Sequence, residues 1–414
     1  MAAGGGFRYG IEHEVALMRR DGSFADFTNT RFEELQAIID ALPVHATDYP
    51  GLRIGDQGIK HKRWYVEGYE RFGPRGEFLR CDPKGIEIRT PIRASVAAAV
   101  ARLRADHAAL AREAARHGFR LLGLGFNPVR HPYRIHPELN RWERRHRLLT
   151  PEDRTDHLHM TTYGPDLNLS WTELSPRQTI DVAAKLTFYS PYLVPFSFAS
   201  PFFRGALWEG LSVRTFVRTG PRPAALVFVA SPADLLTTDP SLTQLARSEA
   251  EVGRIEFKAF DASDDFALYG ELLTLLKGLL LDRRLPGRRL TPDGQLHRIS
   301  ALRGFHDPEI REAAEVVLGA AEAALEDPDD RRRLRRLRSR LRSRSCPAEA
   351  MRRRYLAGQE VVGLRLPTAG LRPGEDRAGP DRPDLGPTDR GLPLGAAGKR
   401  SIGGVGSVDR PSSK

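Results

Sequence analysis

Four short stretches of this chain alternate between apolar and acid-bearing side chains, and no other feature restricts its fold as much. In residues 9–17, Tyr9, Ile11, His13, Val15 and Leu17 fall on one side, with Glu12 and Glu14 on the other. The same split occurs in "GIEIRTPI" (85–92), where Ile86, Ile88 and Ile92 oppose Glu87 and Arg89. In "GPDLNLS" (164–170), Leu167 and Leu169 oppose Asp166, Asn168 and Ser170; in "RIEFKAFD" (254–261), Ile255, Phe257 and Ala259 oppose Glu256 and Lys258. A period of two is that of a β-strand with one buried face. Four such strands in one sheet bring their acids onto one surface. Two readings of that surface stand side by side. A sheet can turn a polar face to water with no further role. Alternatively, carboxylates crowded on a sheet repel one another unless cations neutralise them. Mg²⁺ does so with oxygen ligands and keeps positions open for phosphate.

The rest of the chain predicts an α+β domain. "NTRFEELQAIIDALP" has helical apolar spacing that stops at Pro43. Residues 93–118 form an alanine-rich helix ended by Gly118, followed by a strand, "FRLLGLGFN". Ser175 and Pro176 read as an N-cap and first helical residue of a helix to about Phe188. A strand over 253–261, a long helix over 264–284 with acids in its first turn, and a helix from Asp307 complete the body.

Charge points to nucleic acid only until it is located. Of the net +11, the run "RRRLRRLRSRLRSR" (331–344) contributes +9, residues 345–366 contribute +2 and the stretch from Pro367 another +2, so residues 1–330 are left at −2. A basic groove across the whole body is therefore not expected. The run itself reads as a solvated helix after the acidic "EDPDD", with RNA or anionic lipid as the other reading. Residues 367–414 hold seven Pro, ten Gly and no aromatic residue, a composition expected to be disordered. The domain is thus expected over 1–366. No window approaches 18 apolar residues, and the opening "MAAGGGFRYG" lacks the apolar stretch of a signal peptide. Cys81 and Cys346 form no metal or disulfide pattern and have no base nearby in sequence, so thiol catalysis is not expected. A reducing cytoplasm is the expected home.

Five segments in order resemble the glutamate–cysteine ligase family, in its bacterial carboxylate–amine ligase branch. "GIEHE" (10–14) resembles the opening Gly-x-Glu-x-Glu strand, and "GIEIRTPI" the Glu-x-x-Thr-Pro strand. "PYLVPFSFASPFFRG" (191–205) is similar to the proline-punctuated helix end and Ser-Pro-Phe turn. "GLSVRT" (210–215) resembles the Ser-x-Arg segment, and "RIEFKAFD" the late Glu-x-Arg/Lys-x-x-Asp strand. Together they extend over about residues 8–285.

The resemblance implies a glutamine-synthetase-like fold, in which a curved, largely antiparallel sheet flanked by helices forms a funnel for Mg²⁺ (or Mn²⁺) and ATP. It implies an ATP-dependent ligase that phosphorylates a carboxylate, typically the γ-carboxylate of glutamate, and passes the acyl group to an amine, typically that of cysteine. The product would then be γ-glutamylcysteine, in glutathione biosynthesis. Carried over by position, Glu12, Glu14, Glu87 and Glu256 match the metal-binding acids. Arg89 is a candidate for the substrate carboxylate, and Arg214 for substrate or phosphate. Lys258 stands where the family often has arginine, which leaves a phosphate contact less directional.

The chain also departs from the pattern. Where the family often has a histidine-bearing strand, "DHLHMTTYGPDLNLS" offers His157 and His159 or, in a second register, Asp166 and Asn168. The spacing to "ASPFF" favours Asp166 as the metal-binding residue, with the histidines nearby in a loop. The segment 48–73 reads either as a pocket wall or as a surface hairpin. The amine partner, the identity of the acid and an assembly of like subunits stay open. So do a catalytically inert relative that binds nucleotide or metal, and an RNA-binding role for the arginine run.

Overall fold

Residues 6–48, 62–130, 132–147 and 154–366 are described by a computed structural model and lie in one compact unit. The expected tail, 367–414, and the part of segment 48–73 from 49 to 61 lie outside the described residues. The strands in chain order are β1 (Phe7–Arg19), β2 (Phe24–Ala25), β3 (Trp64–Phe72), β4 (Phe78–Arg89), β5 (Phe119–Leu122), β6 (Pro165–Trp171), β7 (Phe202–Phe203), β8 (Ala206–Leu207), β9 (Ala225–Val229), β10 (Thr243–Leu245) and β11 (Ile255–Phe257). One curled sheet runs β10-β9-β11-β6-β1-β4-β3, with β2 and β5 also paired to β1. Only β9 and β10 pair in parallel; the other neighbours are antiparallel. The expected α+β class and largely antiparallel sheet are therefore present.

The alternation settles which face is buried. Ile11, Val15, Leu17, Ile86, Ile88, Leu167, Leu169, Ile255 and Phe257 are all buried in one core. Helices Val96–Arg116 and Phe266–Leu281 supply its other half, with Leu272, Leu275, Leu276 and Leu279 fully buried. His13 sits on this apolar side, its ring edge-on to Phe266 and Tyr269, and burial pushes its pKa down to about 3. Helix ends follow the caps read from sequence. Ser175 and Gln178 form a capping box ahead of Pro176.

Several expectations are corrected. Helix Pro176–Leu193 continues past Phe188 and takes Pro191 into its last turn. The strand expected over 253–261 is paired only over Ile255–Phe257. The helix expected to carry acids in its first turn uses Asp265 as its cap instead. Ile92 leaves the apolar face, because β4 stops at Arg89 before Thr90-Pro91, and stands 46% exposed.

The arginine run is not simply solvated. It forms an amphipathic helix, Pro328–Arg342, that buries Leu334, Leu337 and Leu341 at helical spacing. Its arginines reach acids on neighbouring elements: Arg336 to Glu271 at 3.1 Å, Arg340 to Asp265 at 2.8 Å, and Arg338 to Glu322. Among the described residues, no helix is long and apolar enough to cross a membrane.

Candidate active site

Cross-strand register decides which polar residues meet. Glu14 on β1 lies opposite Glu87 on β4, and Glu87 opposite Tyr65 on β3. One pleat along, Glu12 lies between Arg89 on β4 and Asp166 on β6, and Glu256 on β11 faces Asn168 on β6. Glu12, Glu14, Glu87, Asp166 and Glu256 thus share one face of one sheet. That face lines a cavity of about 1450 Å³, which Arg89, Arg214 and Lys258 also line.

The acids divide into two groups. In the first, carboxylate oxygens of Glu14, Glu67 and Glu87 all lie within 4.8 Å of one another. Burial, then the neighbouring Glu67 and Glu12 charges, push the Glu87 pKa well above the usual carboxylate range. Glu14 is steadied by the Gly164 N–H at 2.6 Å and by Lys84. Lys84 is buried against the carbonyls of His159 and Thr162, both at 2.9 Å.

The second group is threaded with cations. Arg254 Nη1 lies 3.0 Å from both Glu12 and Glu256 and donates to Asn168 Oδ1 at 3.1 Å; its guanidinium stacks 3.9 Å over the Phe228 ring. Arg89 holds Glu12 at 2.7 Å and donates to the Tyr65 hydroxyl at 2.7 Å. Lys258 bridges Asp166, at 2.5 Å, and Glu256. Burial alone would raise the Glu12 pKa, but Arg89, Arg254 and Lys258 outweigh it and hold the carboxyl far below its ordinary range. Of the five acids expected to bind metal, Glu14, paired with Lys84, and Glu87, 3.7 Å from Arg89, therefore group with Glu67, while Glu12, Asp166 and Glu256 are interleaved with Arg89, Arg254 and Lys258.

Arg214 is 2% exposed. Its Nη2 donates to the Lys258 carbonyl at 2.9 Å, while Nε and Nη1 make no hydrogen bond among the described residues. Its position explains why the Ser-Pro-Phe turn, the Ser-x-Arg segment and the late strand occur together. Buried Asp261, just beyond β11, accepts from Ser200 Oγ at 2.6 Å, from the Ala199 N–H at 2.9 Å and from Ser212 Oγ at 3.0 Å. Ser212 in turn caps the helix Val213–Arg218 that carries Arg214. The guanidinium then passes so close to Gly164 that a Cβ there would lie 2.1 Å from Nη2.

Both registers of "DHLHMTTYGPDLNLS" reach the cavity, at different places. Asp166 faces Glu12, whereas His159 sits in a short helical turn with its Nδ1 2.8 Å from Asp156. His157 does not line the cavity. The segment 48–73 is a wall where it is described: β3 places Tyr65, Glu67 and Glu70 along the cavity. The sequence reading had not singled out Glu67, Arg254 or Lys84. Neither cysteine lines the cavity, and burial pushes the Cys346 thiol up to about 12, away from thiolate chemistry.

Comparison with known proteins gives the site its context. The Glutamate-cysteine ligase family 2 (GCS2) model matches residues 8–220. No curated protein matches. Among solved structures, the bifunctional glutathione synthetase from Pasteurella multocida superposes with a TM-score of 0.51 at 12% identity, over 86% of this chain and 51% of that one. The chain therefore spans about half the length of the Pasteurella protein, and the likeness at that identity speaks for a shared fold. The glutamate–cysteine ligase from Francisella tularensis, solved with AMP, gives 0.49 at 11% identity over 86% of each chain. The ligase PafA, solved with the ubiquitin-like protein Pup, gives 0.48 at 13% identity over 87% and 71%. The family match takes in β1, the three-glutamate group and Arg214, and it spans more than half of the sequence: the chain belongs to glutamate–cysteine ligase family 2.

Proposed function

We propose that this chain is an ATP-dependent carboxylate–amine ligase, with glutamate and cysteine as the substrate pair and γ-glutamylcysteine as the product. One observation carries the reading: within the matched family region, acids from three strands meet in one cavity that Arg214 also lines. The remaining family roles follow by position. Arg89 is assigned to the substrate carboxylate, and Arg214 and Lys258 to phosphate or substrate.

Metal is part of the reading, and the residues fit it. Glu14, Glu67 and Glu87 offer only oxygen donors, closely grouped, and burial, then the crowding of like charges, raises the proton affinity of Glu87, as expected where a hard cation belongs. These three would hold the first cation. Glu12, Asp166 and Glu256 would serve the nucleotide side. Bound there, Mg²⁺, or Mn²⁺ in its place, would neutralise charge on phosphate and carboxylate oxygens.

Phosphoryl transfer depends on positioning and charge more than on covalent help from the protein. Arg89, Arg254 and Lys258 keep Glu12 ionised. Arg254 and Lys258 fix the direction of Glu256, whose pKa burial raises above its ordinary value despite them. Arg214 lines the cavity with two donors, Nε and Nη1, that have no hydrogen-bond partner among the described residues. The carboxylate takes the terminal phosphoryl group of ATP and releases ADP. The amine then attacks the acyl carbon, phosphate leaves, and an amide forms. Small-molecule substrates and a cytoplasmic setting accompany this reading. The test is an ADP-release screen over acid and amine pairs with Mg²⁺, with products identified by mass spectrometry. ADP release that depends on both glutamate and an amine supports the proposal; none with any pair refutes it.

A further inference from the structure

His159 is fixed at one end of its ring and unsatisfied at the other. Nδ1 lies 2.8 Å from Asp156 Oδ1. Asp156 is gripped in turn by Arg147 at 2.7 Å and faced by Arg222 at 3.9 Å. The charges of His159, Arg222 and Arg147 overcome the effect of burial and keep the Asp156 carboxyl well below its ordinary range. The remaining ring nitrogen, Nε2, is buried and makes no hydrogen bond among the described residues. It lies 3.9 Å from Glu67 Oε1.

A buried polar atom without a partner is uncommon and calls for a reason. Here the unsatisfied nitrogen is turned toward one member of the three-glutamate group, while an ordered carboxylate pins the opposite end of the ring. Groups standing behind a metal ligand set its direction, and their loss commonly weakens metal binding by about 10–100-fold. We propose that His159, oriented by Asp156, is a positioning residue for Glu67 and acts through it on the first cation site. The inference rests on reading Glu14, Glu67 and Glu87 as that site. It also gives the two candidate registers separate tasks: Asp166 belongs to the nucleotide side and His159 to the glutamate cluster.

The test uses the full chain, free of nucleotide, titrated with Mn²⁺ alone. Bound metal is read from loss of the free-ion signal in electron paramagnetic resonance. His159→Asn keeps an amide within reach of Asp156 but falls short of Glu67. His159→Gln places an amide near the position of Nε2. The expected result is that His159→Asn weakens Mn²⁺ binding about 10–100-fold, that His159→Gln recovers most of the loss, and that Asp156→Asn weakens binding in the same direction. Glu87→Gln is the reference for the cation site itself. If Glu87→Gln abolishes Mn²⁺ binding while His159→Asn binds like wild type, the inference is overturned and the cation site stands. If neither substitution changes Mn²⁺ affinity, the cation-site reading falls with it. Metal-free melting checks that each variant is folded. Should His159→Asn not fold, Asp156→Asn carries the test, and unchanged Mn²⁺ affinity there overturns the proposal.

Discussion

Glu87→Gln should make the metal-free protein more stable and shrink the stabilisation that metal brings. Glu87 is buried, and its carboxylate is grouped with those of Glu14 and Glu67, with oxygens within 4.8 Å of one another. Two unit charges at that separation repel by roughly 3.5 kcal/mol at an effective dielectric constant of 20. Burial, and after it this repulsion, raises the Glu87 pKa above its ordinary 4.5, so part of the repulsion is avoided by protonation. Above the ordinary value the folded protein keeps a proton that the unfolded chain releases, so Glu87 destabilises the metal-free fold increasingly as pH rises. The penalty is complete once Glu87 ionises in the folded state. Glutamine has the shape of the protonated acid and removes the penalty. Unfolding entropy of about 2.1 cal/mol/K per residue over about 340 described residues converts 1 kcal/mol into about 1.4 °C. Without metal, Glu87→Gln should melt close to wild type near pH 5 and up to about 5 °C higher near pH 8. With Mg²⁺ at 100 times its dissociation constant, wild type should gain about 2.7 kcal/mol, or about 4 °C, and the variant only a fraction of that. Scanning calorimetry at both pH values, with and without Mg²⁺, checks all four arms. Equal melting and equal Mg²⁺ response in the two proteins would show that Glu87 neither feels its neighbours nor holds a cation.

Other residues give further expectations. Arg254→Met should cost about 3–5 kcal/mol in urea unfolding, because Glu12 and Glu256 lose the guanidinium that lies 3.0 Å from each. Gly164→Ala should suppress ligation far more than it lowers stability, since the new methyl displaces the Arg214 guanidinium; activity and melting on one preparation separate the two effects. Stability should fall on acidification below about pH 6.5. His13 and His297 are buried neutral, with pKa values pushed down by burial to about 3 and about 4, so the unfolded chain takes up their protons first. For His13 alone the loss is about 2.7 kcal/mol by pH 4.5, read from urea midpoints across that range. Truncation after Leu366 should leave melting and activity unchanged, as the composition from Pro367 onward cannot support packing.

The sheet was legible because its period is strict. Tyr9 to Leu17 puts five residues on the core side without exception, and one such strand fixes which face of its neighbours is polar. Arg254 was equally accessible, since it shares a face with Glu256 and Lys258 at a spacing of two, but it precedes the acid that drew attention to the strand. Glu67 was harder to find. In "WYVEGYERF" it alternates with Tyr65, but the register shifts between Glu67 and Gly68, so the pattern breaks just after it. The division of the acids into a three-glutamate group and a group interleaved with arginine and lysine was not legible. It depends on which residue of β1 lies opposite which residue of β4 and β6, and sequence alternation leaves that register unspecified. The arginine run misled for a related reason. Its composition suggested solvent, while Leu334, Leu337 and Leu341 mark a buried stripe whose acidic partners come from elsewhere in the chain.

The central claim is that a carboxylate is activated by phosphorylation in this cavity, and transfer of labelled oxygen tests it most directly. Glutamate carrying ¹⁸O in its γ-carboxylate is incubated with ATP, cysteine, Mg²⁺ and the full chain, and the released phosphate is examined by mass spectrometry. An acyl phosphate requires one carboxylate oxygen to leave with phosphorus, so the account predicts one ¹⁸O in phosphate for each amide formed, together with ADP. Unlabelled phosphate, or release of AMP and pyrophosphate in place of ADP, would contradict it.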